Sequence, residues 1–172
     1  MKRVCYSVAM SLDGYIAGPN GEYDWIVMDP DIDFAAIFGE FDTILMGRKT
    51  YEVMQAQPDN SLMEGMEIYV FSRTLSQSDC PGVTVVSDNL ERTVETLKEK
   101  PGKEIWLFGG GALFRSLLDL ELVDSVEVAI VPVLLGGGVP LLPHPSSRVQ
   151  LRLSKHRAYP KTGTMTLRYE VI

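Results

Sequence analysis

Apolar residues fall along this chain in short continuous runs separated by polar turns, and the runs are of two kinds. Val4–Met10, Thr43–Met46, Glu67–Phe71, Val83–Ser87 and Glu104–Phe108 are rich in Val, Ile, Tyr and Phe, the pattern of β-strands. Several are apolar throughout, as expected of central strands covered on both faces. Between them the spacing becomes helical. Phe34, Ile37, Phe38 and Phe41 recur on one helical face, a second helix is predicted from Gly47 toward Gln55, and another from Ala112 to Leu118. The clearest helix spans Asp88 to Lys100. Leu90, Val94 and Leu97 share a face, Asp88 precedes Glu91 by three residues as a capping box, and Pro101-Gly102 ends it.

The last third changes character. Ser125–Pro132, Gln150–Ala158 and Thr164–Val171 are strands with little helix between them. Met165, Leu167, Tyr169 and Val171 alternate with polar residues, and Lys161-Thr162-Gly163 supplies a hairpin turn. The order β-α-β-α-β-β-α-β-α-β, then an antiparallel hairpin, predicts one α/β domain over residues 1–172. Its core is a mixed, mostly parallel sheet of about eight strands with flanking helices and an antiparallel C-terminal edge. The paired edge strands suggest a homodimer.

Composition narrows the partners. At 172 residues, 45% hydrophobic and 23% charged, the chain has the make-up of one soluble globular domain. Its net charge of −7 repels nucleic acid and anionic membrane. An anionic ligand must therefore be held by local features such as helix N-termini and a few arginines. No apolar run approaches the ~20 residues of a membrane span, and MKRVCYSVAM opens with no secretory signal. Cys5 and Cys80 form no CxxC, which predicts a reduced, cytoplasmic protein, with a disulfide between them the lesser alternative. His144 and His156 are the only histidines, too few for a His/Cys zinc site or a nucleophilic triad. The acidic cluster Asp24, Asp29, Asp31 and Asp33 is read as a solvated loop with a helix N-cap, with acid–base work as the alternative.

Three strand-to-helix or strand-to-loop junctions carry the candidate chemistry. IWLFGGGALFRSLL, residues 105–118, runs from a strand through three glycines into a helix. It matches neither GxGxxG nor a P-loop, but it lets backbone approach a ligand beside a helix N-terminus. DTILMGRKTYE, residues 42–52, ends a strand in Gly47 and opens a helix with Arg48, Lys49 and Thr50. Cations there oppose the helix dipole unless an anion lies between them. YVFSRTL, residues 69–75, ends a strand in Ser72, Arg73 and Thr74. Ligands of open parallel sheets bind beyond the carboxyl ends of the strands, so the three junctions describe one groove for a ligand with several phosphates. The loop Gly18-Pro19-Asn20-Gly21 is a candidate lid, whereas the second glycine cluster, Leu134 to Pro140, reads as an ordinary turn.

Taken together, SLDGYIA, the region of Trp25 and Asp31, MGRKTYE, FSRTL and FGGGALFRSLL resemble the dihydrofolate reductase superfamily in order and spacing. The branch they most resemble is the stand-alone relatives of the reductase domain of bifunctional riboflavin-biosynthesis deaminase/reductases. That resemblance implies NADPH as cofactor. It implies Ala9 and Ile16 beside the nicotinamide, with Trp25 in the following loop. Gly47, Arg48, Lys49 and Thr50 match the helix start that holds phosphates, including the 2′-phosphate. Ser72, Arg73 and Thr74 match the adenosine side, and Gly109, Gly110, Gly111, Ala112 and Leu113 the pyrophosphate loop. Asp31, 16 positions before Gly47, lies where folate reductases carry a buried carboxylate and is the candidate catalytic acid. Riboflavin-pathway reductases carry acids where this chain has Gly109 and, near the helix start, Met54. The implied activity resembles 5-amino-6-(5-phosphoribosylamino)uracil reductase, a hydride transfer to a heterocyclic substrate. Pterin or folate reduction and a non-catalytic nucleotide-binding protein are the alternatives.

Overall fold

The computed structural model describes residues 1–57, 63–143 and 148–172, so His144 lies outside the described part. In chain order the elements are β1 (Val4–Ser11), β2 (Tyr15–Ala17), α1 (Phe34–Phe38), β3 (Phe41–Gly47), α2 (Arg48–Gln55), β4 (Glu67–Phe71) and β5 (Thr84–Val86). Then follow α3 (Leu90–Glu99), β6 (Glu104–Gly109), α4 (Gly111–Asp119), β7 (Ser125–Val131), β8 (Val139–Pro140), β9 (Leu151–Tyr159) and β10 (Thr164–Val171). The main sheet has eight strands in the order β5-β4-β3-β6-β1-β7-β10-β9. The first six run parallel, while β10 is antiparallel to both β7 and β9. β2 and β8 form a separate antiparallel pair.

The central strands are apolar on both faces because each face carries its own helical layer. On one face Val94 and Leu97 of α3 and Leu113, Phe114 and Leu117 of α4 pack against Val4, Tyr6, Leu45, Ile105 and Leu107. On the other, Tyr51 and Met54 of α2 pack with Phe41, Ile44, Met46 and Trp106, and Ile37 and Phe38 of α1 join them. Cys5 and Cys80 are buried in this second layer as free thiols.

Two local expectations are corrected. Phe41 belongs to β3 rather than to the first helix, which Gly39 ends after five residues. One turn and a half is too short to persist beyond its packed face, although Asp33 Oδ1 does cap it by accepting from Ala36 N–H at 2.9 Å. The Asp88–Glu91 capping box does not form. Asn89, at φ +52°, is the N-cap residue, α3 begins at Leu90, and no side chain caps it. The left-handed residue takes the position that Asp88 would need.

The amino ends of the strands are tied by buried ion pairs. Lys2 Nζ lies 2.5 Å from Asp42 and donates to Thr43 Oγ1 at 3.0 Å. Lys98 Nζ meets Asp124 at 2.7 Å, and the same carboxylate oxygen accepts from Val4 N–H. On β10, Arg168 grips both oxygens of Glu104 at 2.7 Å. The opposite, carboxyl edge is built differently.

Candidate functional site

Neighbouring strands β3 and β6 send their helices to opposite faces of the sheet, α2 to one and α4 to the other. A crevice opens between the two connections, the topological switch point where open α/β sheets bind ligands. The GRKT and GGG junctions meet there. Met46 is in register with Gly109. A Cβ on Gly47 would lie 3.9 Å from Gly109 O, and one on Gly110 would lie 3.5 Å from the Thr50 hydroxyl. Position 109 requires glycine for a second reason: its φ is +133°, a region that L side chains rarely adopt.

Both helices that start here lack side-chain caps and acidic residues in their first turns. Gly110 O accepts from Leu113 and Phe114 N–H at 3.1 Å each, which fixes the start of α4. The Gly111 and Ala112 amides of α4 and the positive end of the helix dipole remain for an anion. Arg48 and Lys49 stand beside the start of α2, both exposed. Arg48 pairs with Glu52 at 3.0 Å in a surface i,i+4 contact of the kind worth only ~0.3–0.5 kcal/mol, so an incoming phosphate can displace it. Lys49 has no ion-pair partner among the described residues.

The groove continues toward β4. Ser72 N–H donates to Val86 O, and Ser72 Oγ accepts from Thr74 and Leu75 N–H at 3.2 and 3.1 Å. That hydroxyl is thus committed to its own turn, and it holds Arg73 and Thr74 out in solvent. Ala112 is exposed at the mouth of α4, whereas the Leu113 side chain is buried in the core and its N–H donates to Gly110 O, so Leu113 anchors the helix start.

At the β1 end the structure assigns work to residues that the sequence patterns passed over. Asp13 accepts from Ser11 Oγ at 2.6 Å, from Gly136 N–H at 2.7 Å and from Leu135 N–H at 3.1 Å. The Ser11 hydrogen bond, with help from the two amides, holds this carboxyl below its usual range. The glycine cluster read as an ordinary turn is thereby pulled over the mouth. β8 pairs with β2, which carries Ile16, and a Cβ on Gly111 would lie 3.0 Å from Pro143 Cδ and 3.1 Å from Pro140 O. Only the Asp13-Gly14 turn and the second glycine triplet signal this in sequence, and neither names the other. Ala9 is half-buried on β1, in register with Ala129 of β7. Trp25 is half-buried, its Nε1–H donating to Glu22 O within its own loop at 2.9 Å. The Gly18–Gly21 turn is likewise closed by Glu22, whose carboxylate accepts from Asn20 N–H and side chain.

An aromatic wall on the α1 side completes the crevice. Trp106 packs against Phe38 at a 5.0 Å centroid distance and meets Phe108 edge-on at 4.7 Å, while Phe34 stacks on Phe38. Phe34 and Phe108 remain half-exposed at the two ends of this cluster, and Phe108 immediately precedes the glycine loop.

The expectation of a buried carboxylate at Asp31 is corrected. Its side chain is 47% exposed and pairs with Lys161 Nζ at 2.7 Å. The buried acid is Asp29, 1% exposed. Asp29 Oδ1 accepts from Asp31 N–H at 2.9 Å, and this Asx-type turn points Asp31 outward. Asp29 Oδ2 accepts from Thr162 Oγ1 at 2.7 Å and Thr162 N–H at 3.1 Å. Burial alone would raise this carboxyl; those hydrogen bonds and nearby Lys161 overcome it and hold it below its usual range. Asp29 is therefore an ionised latch that fastens the loop before α1 to the β9–β10 turn.

A family model described as the RibD C-terminal domain matches residues 2–164. The chain belongs to that family. The RibD C-terminal domain here is 36% identical to the uncharacterized protein YyaP of Bacillus subtilis, over 98% of this chain and 94% of that one. Among solved structures it is similar to a candidate riboflavin biosynthesis protein from Shewanella sp. PV-4 (TM-score 0.85, 26% identity, 100% of this chain, 99% of that one). A Thermotoga maritima deaminase/5-amino-6-(5-phosphoribosylamino)uracil reductase shares the fold at TM-score 0.75 and 16% identity, over 99% of this chain and 57% of the longer one. So does an Enterococcus faecalis dihydrofolate reductase complexed with NADP(H), at TM-score 0.72 and 16% identity over 98% and 96% of the two chains. The expected dihydrofolate reductase-like fold is present, as is the reductase-domain relationship. Among the described residues no helix is long and apolar enough to cross a membrane.

Proposed function

We propose that this RibD C-terminal domain is a cytoplasmic, NADPH-dependent reductase acting on a heterocyclic substrate of the ribosylaminopyrimidine phosphate kind. The observation that carries the reading is the meeting of two helix starts without side-chain caps, Gly47-Arg48 and Gly110-Gly111, across a strip where the side-chain atom nearest Gly109 and Gly110 is the Thr50 hydroxyl. A diphosphate fits that strip, held by first-turn amides of α4 and by Thr50. Arg48 and Lys49 supply the positive charge that a 2′-phosphate needs and NADH lacks. When bound, NADPH supplies the hydride. The protein's own part is orientation and exclusion of water. Ala9 and Ile16 flank the expected nicotinamide position, and the half-exposed Phe34 and Phe108 offer apolar contact to the substrate ring. The β2–β8 pair, tied down by Asp13, walls off that end. Asp29 is held ionised and cannot donate a proton; Asp31 sits in solvent beside Lys161, so the proton comes from water, which Asp31 can order. An exposed Asp31 also weakens the pterin alternative, for which a buried carboxylate was expected.

Calorimetric titration tests the cofactor assignment. Arg48→Ala should weaken NADPH about tenfold, the value of a charge-assisted contact of ~1.5 kcal/mol, and leave NADH within twofold. Equal losses for both would refute the 2′-phosphate role. A substrate screen following NADPH absorbance tests turnover. Tight NADPH binding with no turnover of pyrimidine or pterin substrates would favour the non-catalytic alternative.

A further inference from the structure

The wall at the nicotinamide end of the crevice is thin. β2 has three residues and pairs with the two-residue β8, outside the main sheet. Two strands of that size do not hold themselves in place. Other contacts must fix Ile16, the half-buried middle residue of β2.

Asp13 acts on β2 from both ends. Its carboxylate accepts from Ser11 Oγ, and the same hydroxyl oxygen accepts from Tyr15 N–H at 3.0 Å, which sets the first residue of β2. It also accepts from Leu135 and Gly136 N–H, where the triplet Gly136-Gly137-Gly138 begins. Three consecutive glycines lose much backbone freedom when ordered, so a charged anchor at the first of them counts for more than in a stiffer loop. Past the anchor the chain presses on the other end of β2: a Cβ on Gly138 would lie 2.1 Å from Ala17 O.

The same segment then crosses the carboxyl edge of the sheet. Residues 132–143 leave β7 beside the end of β1, and Leu141 N–H donates to Gly14 O at 2.9 Å. Pro140 and Pro143 come against Gly111, and Arg115 Nη1 of α4 donates to Pro143 O at 3.2 Å. One strap thus joins the turn at Asp13 to the start of α4. On the adenosine side, Arg48, Lys49 and Arg73 make no hydrogen bond to it among the described residues.

We infer that Asp13 is a positioning residue for the nicotinamide half of the cofactor. It sets β2, and Ile16 with it, through Ser11 and through the 132–143 strap, and it leaves the adenosine half to Arg48, Lys49 and Arg73. This division of labour rests on the NADPH reading above. Were Asp13 only a brace of the fold, its loss would cost both halves of the cofactor alike.

Calorimetry on the full chain with two probes separates these outcomes. The probes are NADPH and adenosine 2′,5′-bisphosphate, which keeps the 2′-phosphate and lacks the nicotinamide. Asp13→Ala should weaken NADPH about fivefold or more and leave the bisphosphate within about twofold. The fluorescence of bound NADPH, which reports the surroundings of the nicotinamide, should fall toward that of the free cofactor. Asp13→Asn keeps one acceptor oxygen and should recover part of the loss. Gly138→Ala leaves Asp13 in place but pushes the strap off Ala17, so it should repeat the selective loss. Circular dichroism and thermal melts check that each variant is folded. Equal losses for the two probes, or undiminished NADPH binding in both alanine variants, would overturn the inference and leave the cofactor reading standing. Failure of the unaltered protein to bind NADPH would sink that reading, and the role of Asp13 with it.

Discussion

Tyr6→Phe should stabilise this protein. Tyr6 lies on β1 with no exposed surface, its ring stacked on Phe114 of α4 at 3.9 Å and 15°. Among the described residues its hydroxyl has no hydrogen-bond partner, and burial pushes its ionisation upward. A hydroxyl taken from water without a partner costs ~1–3 kcal/mol. Deleting the oxygen keeps the ring and its stack but gives up several weak contacts of ~0.1–0.2 kcal/mol each. The balance is a gain of about 1 kcal/mol, or ~2–4 °C in Tm for a chain of this size. Urea unfolding should show a higher midpoint with the slope unchanged. Tyr51→Phe is the control, since that hydroxyl is bonded to Gln55 and its loss should cost about 1 kcal/mol. A fall of 1 kcal/mol or more for Tyr6→Phe would refute the reasoning, because the hydroxyl would then be satisfied.

Gly111→Ala drives a Cβ against the backbone oxygens of Pro140 and Leu141 at 3.1 and 3.3 Å, neither of which can turn away. Overpacking of ~1–3 kcal/mol should exceed any gain in helix propensity, lowering Tm and NADPH affinity together; a more stable variant in thermal melts would show that the 140–143 segment is not packed there. Glu127 has its carboxyl raised by burial, against the pull of Arg168 at 3.6 Å, so the native state keeps that proton to higher pH than the unfolded chain. Its contribution is full below the unfolded value near ~4.3 and fades as pH rises through the folded one, so Glu127→Gln should gain on the unaltered protein between pH 4 and 7; a relative loss over that range in urea titrations would mean that the Arg168 pair outweighs burial.

The strands, the two faces of the sheet and the phosphate-type junctions were legible because each is a local signal. A buried parallel strand is a run of apolar residues, and a glycine before a helix start says that something must come close. What escaped were contacts between distant segments. Asp29 and Asp31 are equivalent as sequence; Thr162 and Lys161, 133 and 130 positions away, decide which is buried and which is not. Asp13 likewise reaches 123 positions to Gly136, which turned an apparently plain glycine loop into a wall of the crevice. Local signals can also mislead. The Asp88–Glu91 spacing is a sound capping box, but a left-handed Asn89 between them takes precedence.

Stability and ligand binding are assigned to opposite ends of the same strands. At the amino ends every buried charge is answered: Lys2 by Asp42, Lys98 by Asp124, Arg168 by Glu104. At the carboxyl ends the chain breaks local rules. Three helices start without side-chain caps, cations sit at the wrong end of the α2 dipole, and Gly109 holds a φ that other residues avoid. Departures of this kind persist where a ligand compensates them, and they would be costly at an edge that served only the fold. With a net charge of −7 the protein's overall field repels a dinucleotide phosphate, so this one uncapped, locally positive strip is where such a ligand gains most. The contrast between the two edges, more than any single motif, is what locates the site at Gly47 and Gly109.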